Sequence, residues 1–250
     1  MSGHNKWSTI KHKKGKNDAA KGKIFTQISK EIFVAVKQGG PDPDGNFRLK
    51  LCIQKAKSNN MPMDNVNRAI QKAAGNTEGV AYDEIVYEGY GPAGVAVMCE
   101  ILTDNRNRIA SEIRYLFSRN NGNLGETGCV SYMFNRKGRM TVKAEDVDPD
   151  EVMMVALDAG AEDIITENEA EIEIITATED LEAVKNAVEA AGYETVEAEV
   201  TMLPENTIEI ADAEQAAKVL KLIDALEDND DVQNVYSNAD IPDEIIEQLS

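Results

Sequence analysis

The chain has 250 residues, 42% of them hydrophobic and 5% aromatic, with three cysteines and a formal net charge of −19. That length accommodates one to three domains with packed cores, and no run of ~18 apolar residues is present that could cross a membrane as a helix. The charge is sorted by position: 15 Lys+Arg face 5 Asp+Glu in residues 1–75, 7 face 8 in 76–139, and 4 face 32 in 140–250.

Lys and Arg bind phosphates through local density, so a chain that is acidic on average can still carry a polyanion-binding segment. The first sixteen residues, MSGHNKWSTIKHKKGK, are basic without an apolar stretch behind them, unlike a secretory signal. Cys52, Cys99 and Cys129 are odd in number and sit in apolar patterns, which predicts reduced core thiols of a cytoplasmic protein.

Residues 1–16 show no helical periodicity and read as an arm bearing Lys6, Lys11, Lys13, Lys14 and Lys16 with Trp7, His4 and His12. A helix is predicted from Asp18 to Gln38, because Ile24, Phe25, Ile28, Ile32, Ala35 and Val36 share one face. Gly39-Gly40-Pro41 ends it. Leu49, Cys52, Ile53 and Ala56 predict a second helix over Phe47–Ser58. Pro62 opens a third, carrying Val66, Ala69, Ile70 and Ala73.

After Gly75 the pattern changes. Strands are predicted at Ile85–Glu88, Val95–Leu102 and Val130–Phe134, with a helix over Asn105–Arg119 between the last two. The stretch that follows reads strand Met140–Lys143, helix Pro149–Ala159, strands Asp163–Thr166 and Glu171–Thr176, helix Asp180–Ala191 and strand Thr195–Thr201. This is the β-α-β-β-α-β order of ferredoxin-like folds. A helix over Ala213–Leu226 and a strand over Val232–Tyr236 complete the pattern. The predicted class is α+β: an N-terminal three-helix domain (1–75) and two ferredoxin-like domains. One of these (135–204, acidic) is inserted in the other (76–134 plus 205–250). Two sequential modules with an accessory tail are the alternative.

No catalytic apparatus is legible. Both histidines lie in the arm, and no nucleophile elbow, P-loop or zinc-spaced cluster occurs. The glycines of Gly122-Asn123-Leu124-Gly125-Glu126-Thr127-Gly128 follow a helix and precede a strand, the wrong polarity for a phosphate cradle. No enzyme activity, cofactor or metal is expected. Six cations fall within thirteen residues at Lys11, Lys13, Lys14, Lys16, Lys21 and Lys23, which points to a polyanion. Trp7 could stack on an unpaired base or pin the arm to the bundle. A second cluster, Arg106 and Arg108 followed by Arg114 and Arg119, could form a phosphate-binding stripe or pair within its own helix, as Arg108 could with Glu112.

Several strings resemble the YebC family, the bacterial group whose mitochondrial relative is a translational activator of cytochrome c oxidase. They include Ser2-Gly3-His4-Asn5-Lys6-Trp7, Ile10-Lys11-His12-Lys13-Lys14, Gly22-Lys23-Ile24-Phe25, Ser58-Asn59-Asn60-Met61-Pro62, Tyr87-Glu88-Gly89-Tyr90-Gly91-Pro92, Thr103-Asp104-Asn105-Arg106-Asn107-Arg108, Gly122-Asn123-Leu124-Gly125 and Leu226-Glu227-Asp228-Asn229-Asp230-Asp231. The resemblance implies a three-domain fold, DNA binding in transcriptional regulation, and a second role at the ribosome in relieving stalling on proline-rich stretches. The residues expected to meet DNA or ribosomal RNA are Lys6, Trp7, Lys11, His12, Lys13, Lys14, Lys16, Lys21, Lys23, Arg106 and Arg108. The acidic domains would be left for protein partners, membranes would not be engaged, and the protein would act as a monomer. The competing expectation is an interaction or effector-binding module without nucleic-acid contact.

Overall fold

A computed structural model of the protein describes residues 18–75, 81–168 and 170–249. The fold is α+β, with helices first and antiparallel β-sheet layers after them. Helix α1 (Asp18–Gly39) stops where Gly40 takes a φ of +85°, a left-handed conformation open to glycine. Helices α2 (Phe47–Ser58) and α3 (Met63–Gly75) follow. Asn46 organises the first of these junctions. Its Oδ1 accepts from Leu49 N at 3.0 Å and caps α2, while its Nδ2 donates to Ala35 O and Gly40 O at 2.8 and 2.9 Å.

The chain forms two compact units interleaved in sequence. Among the described residues, one takes 18–31, 81–134 and 204–249, the other 32–75, 135–168 and 170–203. Helix α1 thus gives Asp18–Glu31 to one unit and Ile32–Gly39 to the other.

In the first unit, strands β1 (Asp83–Tyr90), β2 (Ala96–Thr103), β3 (Asn123–Leu124) and β9 (Val232–Ser237) form a sheet in the order β3-β1-β2-β9. Tyr87 lies opposite Cys99, and Cys99 opposite Val235, in antiparallel register. Helices α4 (Arg106–Arg119) and α7 (Ala213–Glu227) supply the core side. Ile109, Ile113 and Phe117 of α4, four residues apart, meet Val219, Leu222, Ile223 and Leu226 of α7 over Val97, Cys99 and Ile101 of β2. A short parallel pair, β8 (Ile208–Glu209) with β10 (Ala239–Asp240), and the terminal helix α8 (Asp243–Leu249) extend this unit.

In the second unit, β4 (Phe134–Lys143), α5 (Pro149–Asp158), β5 (Ala161–Asn168), β6 (Glu171–Thr176), α6 (Leu181–Ala190) and β7 (Thr195–Pro204) run in the order anticipated from the sequence. Their sheet order, β5-β6-β4-β7, is the ferredoxin-like one. Its core combines Met140, Val142, Ile172 and Ile174 with Val152, Ala156, Val184 and Val188, and Phe47 and Leu51 of α2 pack against it.

One expected strand is absent from its place. Residues 131–133 form a 3-10 turn, and β4 begins only at Phe134. The cause is Glu88, whose carboxylate accepts from the amides of Gly128, Val130 and Ser131 at 2.8, 3.0 and 2.7 Å. Amides committed to a side chain cannot enter a ladder. The edge of β1 away from β2 pairs with Asn123–Leu124, inside the glycine string.

Candidate nucleic-acid interface

Lys6, Trp7, Lys11, His12, Lys13, Lys14 and Lys16 lie outside the described residues. Of the remaining predicted cations, Lys21 is exposed on α1 and makes no ion pair among the described residues. Lys23, two residues further on and half-buried, lies 3.6 Å from Asp228. Helix α3 adds Arg68 and Lys72, exposed at i, i+4 spacing and likewise without an ion pair among the described residues. Lys57 at the end of α2 is a further exposed cation of this kind.

The arginine cluster is arranged differently. Asn105 caps α4 by accepting from Arg108 N at 3.0 Å, which places both arginines in the first turn. Arg106 Nε is 2.9 Å from Asp83, and that hydrogen-bonded contact holds the Asp83 carboxyl below its ordinary range. Arg108 Nη2 reaches Asp231 at 2.6 Å and Asp104 at 3.0 Å, with Glu112 3.9 Å from its Nε. Both guanidinium groups are therefore occupied by carboxylates. The pairing with Glu112 is the weakest of the three Arg108 contacts.

Asp231 is a junction that the sequence does not single out. Its side chain is 8% exposed and accepts from Lys30 Nζ at 2.6 Å, Arg108 Nη2 at 2.6 Å and Thr103 Oγ1 at 2.8 Å. Burial alone would raise its pKa, but the hydrogen bonds from Lys30, Arg108 and Thr103 outweigh burial and leave it below the ordinary value. Lys30 Nζ also donates to Asp230 O at 2.8 Å, and Gln27 Nε2 to Val232 O at 2.6 Å. The stretch 228–232 thus collects Lys23, Gln27 and Lys30 from α1 and Arg108 from α4. A signal is present in Asp228-Asn229-Asp230-Asp231, but one acidic run in so acidic a region looks like a solvated face.

Among the described residues, no group of three or more His, Cys, Asp or Glu side chains could hold a metal ion. No helix of the described residues is long and apolar enough to cross a membrane.

Residues 5–76 match the family model described as the TACO1/YebC protein N-terminal domain, and residues 82–239 match the TACO1/YebC second and third domain. The chain belongs to the TACO1/YebC family. A relative in Desulfotalea psychrophila is 55% identical over 250 residues, covering all of both chains, and carries the name probable transcriptional regulatory protein. Relatives in Moorella thermoacetica (55% over 250 residues, 100% of this chain and 99% of theirs) and Halothermothrix orenii (54% over 252 residues, 100% and 99%) carry the same name. The crystal structure of a conserved hypothetical protein from Aquifex aeolicus is similar at a TM-score of 0.82 and 47% identity, over 90% of this chain and 93% of that one. The two matches together span the cation-rich helices and the sheet whose strand β9 follows Asp231.

Proposed function

We propose that the protein is a non-enzymatic regulator of gene expression that binds nucleic acid through residues 1–75. The observation that carries this reading is the contrast between two sets of cations. Lys21, Lys57, Arg68 and Lys72 remain open to solvent without ion-pair partners among the described residues, whereas Arg106 and Arg108 are held by carboxylates. Open cations within a sequence segment of net charge +10 favour a phosphate polymer. The names of the relatives support regulation of transcription and hence DNA. Ribosomal RNA offers the same phosphate chemistry and is the second target.

In this reading residues 1–75 act as the nucleic-acid-binding domain. Residues 76–134 with 205–250 form the discontinuous domain, and the inserted domain over 135–204, whose carboxylates repel phosphate, orients the contact in the cytoplasm. Binding isotherms for duplex DNA between 50 and 200 mM salt test it. Contacts to 6–10 phosphates lower the affinity by about 10³–10⁵ over that range. Replacing Lys11, Lys13, Lys14 and Lys16 by Ala, or Arg68 and Lys72 by Ala, reduces both the affinity and the salt slope. An isotherm indifferent to salt overturns the reading. Sedimentation with ribosomes against duplex binding separates the two targets.

A further inference from the structure

The sequence contains a single Asn-Gly pair, Asn121-Gly122, and it lies in the turn between α4 and β3. In such a pair the glycine backbone nitrogen can attack the Asn side-chain amide, because no Cβ on the following residue shields that nitrogen. The bond from Gly N to Asn Cγ forms, the amide proton passes to solvent base, and the side-chain nitrogen takes a proton from water and leaves as ammonia. Water then opens the succinimide at one carbonyl to give Asp, or at the other to give isoaspartate, whose main chain is one carbon longer. No oxidant and no second protein is required.

The turn demands both residues. Asn121 has a φ of +58°, in the left-handed region where asparagine is among the few side chains tolerated. Gly122 occupies a space closed to any side chain: a Cβ there would stand 2.9 Å from Tyr90 O and 3.1 Å from both the Phe117 ring and Leu222. Tyr90 of β1 pairs with Asn123, the next residue along. The packing that requires glycine therefore also retains the more reactive dipeptide.

The closed turn opposes the reaction in two ways. Gly122 N donates to Phe117 O at 2.8 Å, so the attacking nitrogen gives up that bond before it can lose its proton. A left-handed residue also sets its Cβ nearly trans to the next nitrogen, which carries Cγ away from it. The Asn121 amide itself is exposed and makes no hydrogen bond among the described residues, in contrast to Asn120, whose Nδ2 donates to Leu116 O at 2.9 Å. Reactivity is thus decided by the backbone of the turn and not by burial of the side chain.

We propose that Asn121 is a deamidation site gated by the turn between α4 and β3, held back while Gly122 N is bonded to Phe117 O and converted to isoaspartate when that bond opens. Conversion runs one way, because a main chain lengthened by a carbon cannot restore both that bond and the Tyr90–Asn123 pairing. The inference is independent of the nucleic-acid reading. The test incubates the full chain in mildly alkaline buffer, folded or in guanidinium chloride, and follows residue 121 by peptide mapping and mass spectrometry. Asn121 converts in the unfolded chain, and at least about tenfold more slowly in the folded one. Asn121→Gly, which accepts the left-handed φ, folds as the parent does and shows no conversion at this turn. The isoaspartyl chain, separated after ageing, melts below the parent. Asn121→Asp, which carries the same charge on a main chain of normal length, melts with the parent. Equal rates in the folded and unfolded chains overturn the gate. No conversion at Asn121 in the unfolded chain, or slower conversion there than at another asparagine, overturns the site. An isoaspartyl chain that melts with the parent overturns the loss of pairing.

Discussion

Lys30 and Arg108 converge on the nearly buried carboxylate of Asp231, each cation 2.6 Å from it. Removing one partner of such a group strands the others. Asp231→Ala should therefore cost about 3 kcal/mol, read as a lower urea midpoint with an unchanged slope. Because the folded pKa of Asp231 lies below the ordinary 3.8, its contribution is fully present above that value. It disappears as the pH falls through the depressed folded value. Equilibrium unfolding from pH 6 down to pH 2 should show the parent and Asp231→Ala converging in stability at the acid end. Arg108, one of the residues expected to meet phosphate, has its Nη2 engaged by Asp231 and Asp104. The sequence hides that engagement because Thr103, Arg108 and Lys30 are distant from Asp231 along the chain. Only the fold brings them together.

At the scale of elements, helices are the most legible. Leu49, Cys52 and Ala56 mark α2 by spacing alone, and the same residues are buried. The helices expected over Asn105–Arg119 and Ala213–Leu226 likewise appear as α4 and α7 within a residue of those bounds. The loop between β3 and β4 is illegible for a specific reason. Val130 to Phe134 has strand-like composition, but its conformation is decided by Glu88, 42 residues before Val130. The glycines of this region are legible as turn formers and not as points of contact. Gly89 in β1 leaves no room for a methyl group: a Cβ there would stand 2.5 Å from Asn123 O and 2.8 Å from the Phe117 ring. Gly89→Ala should push β3 and α4 away from β1 and cost about 1–3 kcal/mol by overpacking. Thermal unfolding followed by circular dichroism would register it, and a variant as stable as the parent would contradict the packing described.

For the whole molecule, the division of charge along the chain is plain from the residues themselves, whereas the pairing of distant segments is not. Strand β9 hydrogen-bonds to β2 across a long stretch of intervening chain, with Val235 opposite Cys99 and Tyr236 opposite Met98. Non-local pairing of this kind must close a long loop before it is stabilised. A chain ending at residue 204 retains every strand of the second sheet and lacks α7 and β9, which cover Val97, Cys99 and Ile101. Such a truncated chain should bind the hydrophobic dye ANS and aggregate on warming, whereas the 250-residue chain should do neither. The order of synthesis then acquires meaning. As the polypeptide leaves the ribosome, the segment that becomes the second sheet emerges entire and can settle, while β1 and β2 wait with one edge bare until β9 arrives. A nascent chain of this protein therefore carries an open seam from the synthesis of β2 until that of β9.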